Sequence, residues 1–132
     1  MTYTMTVTTP LDLAAAEARV RETLQAEGFG ILSEIDVQAK LEEKLGEDVG
    51  GYKILGACNP PLARQAIAAD GDIGALLPCN VLLRATDDGG TAIVAADPEA
   101  MLSVSDADLA DLACDAKERI QRALDAVNEE GN

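Results

Sequence analysis

From Thr4 to Thr8 the chain alternates as Thr-Met-Thr-Val-Thr, which predicts a first strand with Met5 and Val7 on its buried face. The period then changes. Leu13, Ala16, Val20 and Leu24 recur at helical spacing, so a helix is predicted to about Glu27. Thr9 is its expected N-cap, with Pro10 at the first helical position, Asp12 three residues after the cap and Gly28 as a left-handed stop. Phe29 to Ile35 returns to alternation, with Phe29, Ile31, Ser33 and Ile35 on one face and Gly30, Leu32 and Glu34 on the other. Asp36 is placed to cap a short helix from Val37 to Leu45, whose Val37, Leu41 and Leu45 align and which Gly46 ends.

Beyond the loop 47–51, Tyr52 to Ala57 reads as a third strand. Asn59-Pro60-Pro61 opens another helix reaching to about Ala69, where Asp70-Gly71-Asp72 breaks it. Val81 to Thr86 and Thr91 to Ala96 flank Asp87-Asp88-Gly89-Gly90, the clearest hairpin signal in the chain, and Asp97-Pro98-Glu99 then turns it. Ser105-Asp106-Ala107-Asp108 repeats the capping pattern before a last helix to about Asn128, with Leu109, Leu112, Ala116, Ile120, Leu124 and Val127 inward and a polar tail to Asn132. Strands and helices in this order predict one α+β domain over residues 1–132. It is a two-layer sandwich with a mixed sheet of about five strands and helices mainly on one face. The order of the strands is not legible from the pattern.

Charge and composition then remove partners. The 24 acidic and 10 basic residues give a net charge of -14, and aromatic residues are confined to Phe29, Tyr3 and Tyr52. With no basic patch and no stacking platform, nucleic acid and anionic membrane surfaces are excluded as expected partners. The surplus of acid fits either a high-salt setting, where self-repulsion is screened, or ordinary mild acidity. Met1-Thr2-Tyr3-Thr4-Met5 lacks the basic start and apolar block of a secretion signal, and no apolar run reaches a bilayer span. A cytoplasmic protein is the expectation. The absence of histidine rules out an intrachain Ser-His-Asp or Cys-His pair and any zinc site that needs imidazole. No cofactor is named by the sequence.

The stretch least like ordinary packing carries a Cys-Asn pair twice: Leu55-Gly56-Ala57-Cys58-Asn59-Pro60 and Leu76-Leu77-Pro78-Cys79-Asn80. Together with Gly28-Phe29-Gly30-Ile31-Leu32-Ser33-Glu34-Ile35-Asp36, Lys44 and Asp97-Pro98, these motifs make the chain resemble the domain-of-unknown-function 302 family over about residues 9–101. The resemblance implies a compact α+β domain that pairs as a homodimer, and it supplies no mechanism.

Each candidate residue has a bland reading beside its functional one. Asn59 stands where the Pro60 helix wants its N-cap, and cysteine often only fills space. Asn80 precedes a strand, so no cap accounts for it, and a buried amide there would look to Asn59 for a partner. The functional reading has Cys58 and Cys79 converge at strand ends, where sites in sheet proteins commonly form, with the start of a helix beside Cys58. Cys58, Asn59, Cys79 and Asn80 are then ligand-binding candidates, and Glu34 and Asp36 could join them.

Three chemistries follow. Cys58 or Cys79 could act as a catalytic nucleophile or as a reversible dithiol pair. The same two thiols, with Glu34 or Asp36 as oxygen donors, could hold a soft metal, although they lack the Cys-x-x-Cys spacing of strong zinc sites. A pocket for a small molecule is the third, with the asparagines as donors and acceptors. The preferred function is a small dimeric binding or sensing protein, the alternative is a thiol-dependent redox or transferase enzyme, and a structural or interaction role comes third. Lys44 reads as a surface residue or a partner for Asp36 or Glu34, Cys114 as core or partly exposed filler, and Asp106, Asp108, Asp111 and Asp115 as a solvated helix face.

Overall fold

The computed structural model describes residues 2–129; positions 130–132 of the expected polar tail lie outside them. Strand β1 (Thr4–Thr9) is followed by α1 (Leu13–Ala26), β2 (Gly30–Asp36), α2 (Val37–Leu45), β3 (Tyr52–Cys58) and α3 (Pro60–Ala69). A 3₁₀ turn at Ile73–Leu76 then leads to β4 (Cys79–Ala85), β5 (Thr91–Ala96), α4 (Pro98–Leu102) and α5 (Ala110–Ala126). The five strands form one sheet in the order β1-β5-β4-β3-β2. This is the α+β sandwich the pattern predicts, but the sheet is antiparallel throughout rather than mixed. The reason is topological. Helices α2 and α3 leave the sheet and return to the neighbouring strand, and only α1 carries the chain from one edge to the other.

Alternation along the strands gives the sheet two unlike faces. Met5, Ala95, Val81 and Leu55 lie opposite one another across four strands and are buried beneath α1 and α5, with Val20, Leu24, Ile120 and Leu124 fully inaccessible. Each helix also ties off the other's end. Arg19 of α1 donates to the Ala126 carbonyl at 2.9 Å, and Arg119 of α5 donates to the Glu27 carbonyl at 3.2 Å, which satisfies terminal carbonyls no intrahelical donor reaches. The opposite face carries the row Thr6-Val94-Leu82-Ile54-Ile35, and Ile35 remains 50% exposed. The flanking rows Ala96-Asn80-Gly56-Ser33 and Ala92-Arg84-Tyr52 bring no carboxylate to that face.

Several local expectations are corrected. Thr9 stays in β1, paired with Thr91, so Asp12 takes over the cap of α1 by accepting from the Ala15 N–H at 2.9 Å. A register shift between Ile31 and Ser33 divides the face assigned to β2: Ile31 packs on the core, Ser33 and Ile35 turn to the open side, and Leu32 is 68% exposed. Glu34 consequently points toward α1. The Ser105–Asp108 segment does not cap α5 through Ser105, whose hydroxyl donates to Asp70 at 2.7 Å. The helix starts later, at Ala110. Leu109 and Leu112 join Ala66, Ile73 and Leu102 in a second apolar cluster instead of the main stripe.

Candidate functional site

The two Cys-Asn motifs meet because β3 ends where β4 begins. Ala57 is paired directly with Cys79 and Gly56 with Asn80, so Cys58 lies one step along the ladder from Cys79's partner. At ordinary sheet spacings their α-carbons are about 6 Å apart. Both cysteines are free thiols and half-buried. The corner is held shut by a missing side chain: a Cβ on Gly56 would stand 2.8 Å from Cγ of Pro78 and closer still to the Ser33 hydroxyl. The Leu77–Pro78 peptide is cis.

Beyond the strand ends, α3, the 3₁₀ turn, α4 and α5 close over a cleft of about 70 Å³. Cys58, Asn59, Cys79 and Asn80 all line it, as do Phe29, Leu62, Leu76 and Met101. Burial raises the Cys79 thiol above its ordinary value of 9.0, and the neighbouring Cys58 adds to the shift.

Asn59 does what its bland reading requires. Its Oδ1 accepts from the Leu62 N–H at 3.2 Å, capping α3 with Pro60 in the first turn, and it is only 8% exposed. Gly28, left-handed at φ 87°, approaches so closely that a Cβ there would lie 2.9 Å from Asn59 Nδ2. Asn80 departs from expectation: it is exposed and lies opposite Gly56 on the open face, so it is no buried partner of Asn59.

Glu34 and Asp36 do not join the site. Asp36 caps α2 by accepting from the Ala39 N–H at 2.9 Å, and it pairs with Lys53, five residues before Cys58. That separation is about 17 Å of strand. Glu34 belongs to a four-charge ring between α1 and the sheet: Lys53 meets Glu17 at 2.9 Å and Glu34 at 3.7 Å, and Arg21 binds both carboxylates. Burial raises the Glu17 pKa, but the Lys53 and Arg21 bonds outweigh it and hold the carboxyl below its ordinary 4.5; the Glu17 bond chiefly raises Lys53. Lys44 is exposed in the last turn of α2 and makes no ion pair among the described residues. Cys114 is exposed, its thiol pushed up by Glu118. No group of three or more Cys, Asp or Glu placed to hold a metal ion occurs among the described residues, so the metal set with Glu34 or Asp36 does not assemble.

One contributor escaped the sequence reading. Asp97, 6% exposed, caps α4 by accepting from the Glu99 N–H and receives Lys117 of α5 at 3.0 Å, fixing the helix that brings Met101 and Leu102 to the cleft. The visible signal was Asp97-Pro98, a cap followed by proline.

With this geometry established, comparison with known proteins is decisive on kinship. The sequence matches the family described as domain of unknown function DUF302 over residues 4–127. The chain belongs to the DUF302 family. A solved DUF302 protein from Bacillus stearothermophilus, described as an uncharacterized conserved protein, is 27% identical and superposes with a TM-score of 0.90, over 97% of this chain and 100% of that one. No curated protein matches the sequence. The DUF302 match extends beyond the 9–101 stretch of the motifs to take in β1 and α5, which build the opposite edge and the roof of the core. No helix among the described residues is long and apolar enough to cross a membrane.

Proposed function

We propose that this DUF302 chain is a homodimeric binding or sensing protein whose site is the cleft between the Cys58-Asn59 and Cys79-Asn80 corners. The observation that carries the reading is that both corners line one cavity. A small molecule suits it better than a soft metal, because the soft donors lining it are two thiols and the Met101 thioether, and no carboxylate joins them among the described residues. The thiol-enzyme alternative draws on the same pair, with Cys58 as its nucleophile, since the raised Cys79 thiol is mostly unionised at neutral pH.

Thermal-shift screening tests the proposal. A ligand at a hundred times its Kd stabilises by about 2.7 kcal/mol, a shift of several degrees. Hits should lose that shift in Ala63→Phe, which fills the cleft, and keep it in Cys114→Ser. A set of hits indifferent to Ala63→Phe contradicts the reading.

The partner is a second copy, docked through the open sheet face. Helix α2 has no buried residue, although Val37, Leu41 and Leu45 form an apolar stripe, and nine residues are too few to hold a helix without packing. In a chain of net charge -14 the strands' open face bears no carboxylate among the described residues, so two copies can approach there without opposing acidic charges. Five strands of about six residues offer roughly 400 Å² of flat face per copy. That is about half of a standard interface, so α2 must contribute as well.

A further inference from the structure

Building on the reading of the Cys58–Cys79 cleft as a binding site, we infer that its ligand is a small uncharged organic molecule, mostly apolar, with a single polar group that the Asn59 amide can meet. Of 132 residues, 34 are acidic or basic, yet among the described residues none of them lines this cavity. The walls are Leu, Ala, Pro, Met and Phe side chains and the two thiols. An ionised ligand would surrender its hydration shell and find no counter-charge, whereas an apolar one exchanges water for matched surface.

The polar groups narrow the choice further. Asn59 Oδ1 is already committed to the α3 cap and the Asn80 side chain is exposed on the open sheet face, which leaves the Asn59 amide nitrogen and the two thiols among the lining residues to meet a ligand. One hydrogen-bonding group on the ligand can therefore be met by the Asn59 amide, and each further polar group adds desolvation cost against weak thiol partners. Size follows from the cavity. A volume of about 70 Å³, at roughly 10–15 Å³ for each water-sized centre, accommodates about five to seven such centres. The ligand has a comparable number of non-hydrogen atoms. A primary alcohol, a ketone or a short amide meets these conditions; a carboxylate, a phosphate ester or an ammonium does not.

The test is an NMR titration of isotope-labelled full-length protein with straight-chain alcohols from 1-propanol to 1-octanol, each set against the carboxylate and the ammonium of the same chain length. The expected result is saturable movement of amide signals in residues 57–62 and 76–80. Affinity should rise about fourfold per methylene, the equivalent of ~0.8 kcal/mol, and level off near 1-hexanol as the cavity fills. The charged analogues should bind at least tenfold more weakly, and Ala63→Phe should abolish the movement. A milder Ala63→Val should weaken the longer alcohols first, which guards against a filled variant that fails to fold. Charged analogues binding at these residues as well as the alcohols would overturn the ligand class and leave the site standing. Affinity that keeps climbing through 1-octanol would overturn the size. Alcohols that move only signals of the open sheet face around Leu82, or none at all, would overturn both the ligand class and the site.

Discussion

Gly56→Ala is the substitution that most sharply probes how the two corners are joined. The added methyl would meet Cγ of Pro78 at 2.8 Å, and the ring must retreat by about 0.6 Å to reach the 3.4 Å of ordinary contact. Ser33 is nearer still, but its hydroxyl can rotate away, whereas the Pro78 ring has no such freedom. Overpacking of this kind costs about 1–3 kcal/mol. Replacing glycine inside a strand returns ~0.5–1 kcal/mol of backbone entropy, so the net loss should be about 0.5–2 kcal/mol. Urea unfolding reads it directly: with a slope of about 1–3 kcal/mol/M, the midpoint should fall by roughly 0.5–1 M. Gly30→Ala is the matched control, because a Cβ there meets nothing within 4 Å; it should be neutral or slightly stabilising. Cys79 follows Pro78 in the chain, so ligand affinity should drop in Gly56→Ala and hold in Gly30→Ala. A Gly56→Ala protein as stable as its parent would refute the claim that this glycine exists to seat Pro78.

Three further outcomes follow from the charges, thiols and surfaces. Because the Glu17 pKa is lowered, the stability it contributes is present above its ordinary 4.5 and is lost as pH falls through the folded value; Lys53, raised, contributes below 10.5 and loses it as pH rises through its own folded value. Urea midpoints between these limits should therefore exceed those outside, and Glu17→Gln should flatten the acid limb; an unchanged acid limb counts against the ring. The rate of N-ethylmaleimide addition to Cys79, followed by peptide mass, should still be climbing above pH 9.0, and a plateau below neutrality would contradict the burial of that thiol. Leu82→Glu should convert a dimer to a monomer in sedimentation equilibrium without loss of fold, whereas a parent protein that is monomeric at high micromolar concentration removes the interface.

Hydrophobic period and cap chemistry exposed the elements, and Gly28, Gly46 and the Asn59-Pro60 cap all stand where local rules place them. Local rules failed where tertiary pairing competed with them. Thr9 was drawn into the ladder with Thr91, and the bulge after Ile31 turned Ile35 outward. Antiparallel pairing throughout was hidden because a helix between two strands reads alike as a crossover or as an excursion that returns beside its origin. At the site, the repeated Cys-Asn motif located two corners that do line one cleft. The carboxylates were beyond reach of the sequence, since Glu34 is claimed by Arg21 and Lys53 from elements distant in the chain. Asn80 gained functional weight from lacking a cap, yet it lies exposed beside a residue without a side chain.

The most direct test of the central claim, that both corners share a single site, needs no ligand. In a Cys114→Ser background, Cys58 is first blocked with N-cyclohexylmaleimide, and the rate at which Cys79 then reacts is compared with its rate in a Cys58→Ser variant. If both thiols line one cleft of about 70 Å³, the cyclohexyl group occupies it and Cys79 should react at least tenfold more slowly. Equal rates for Cys79 in the two proteins would mean that the corners face separate surfaces, and the binding site proposed between them would not exist.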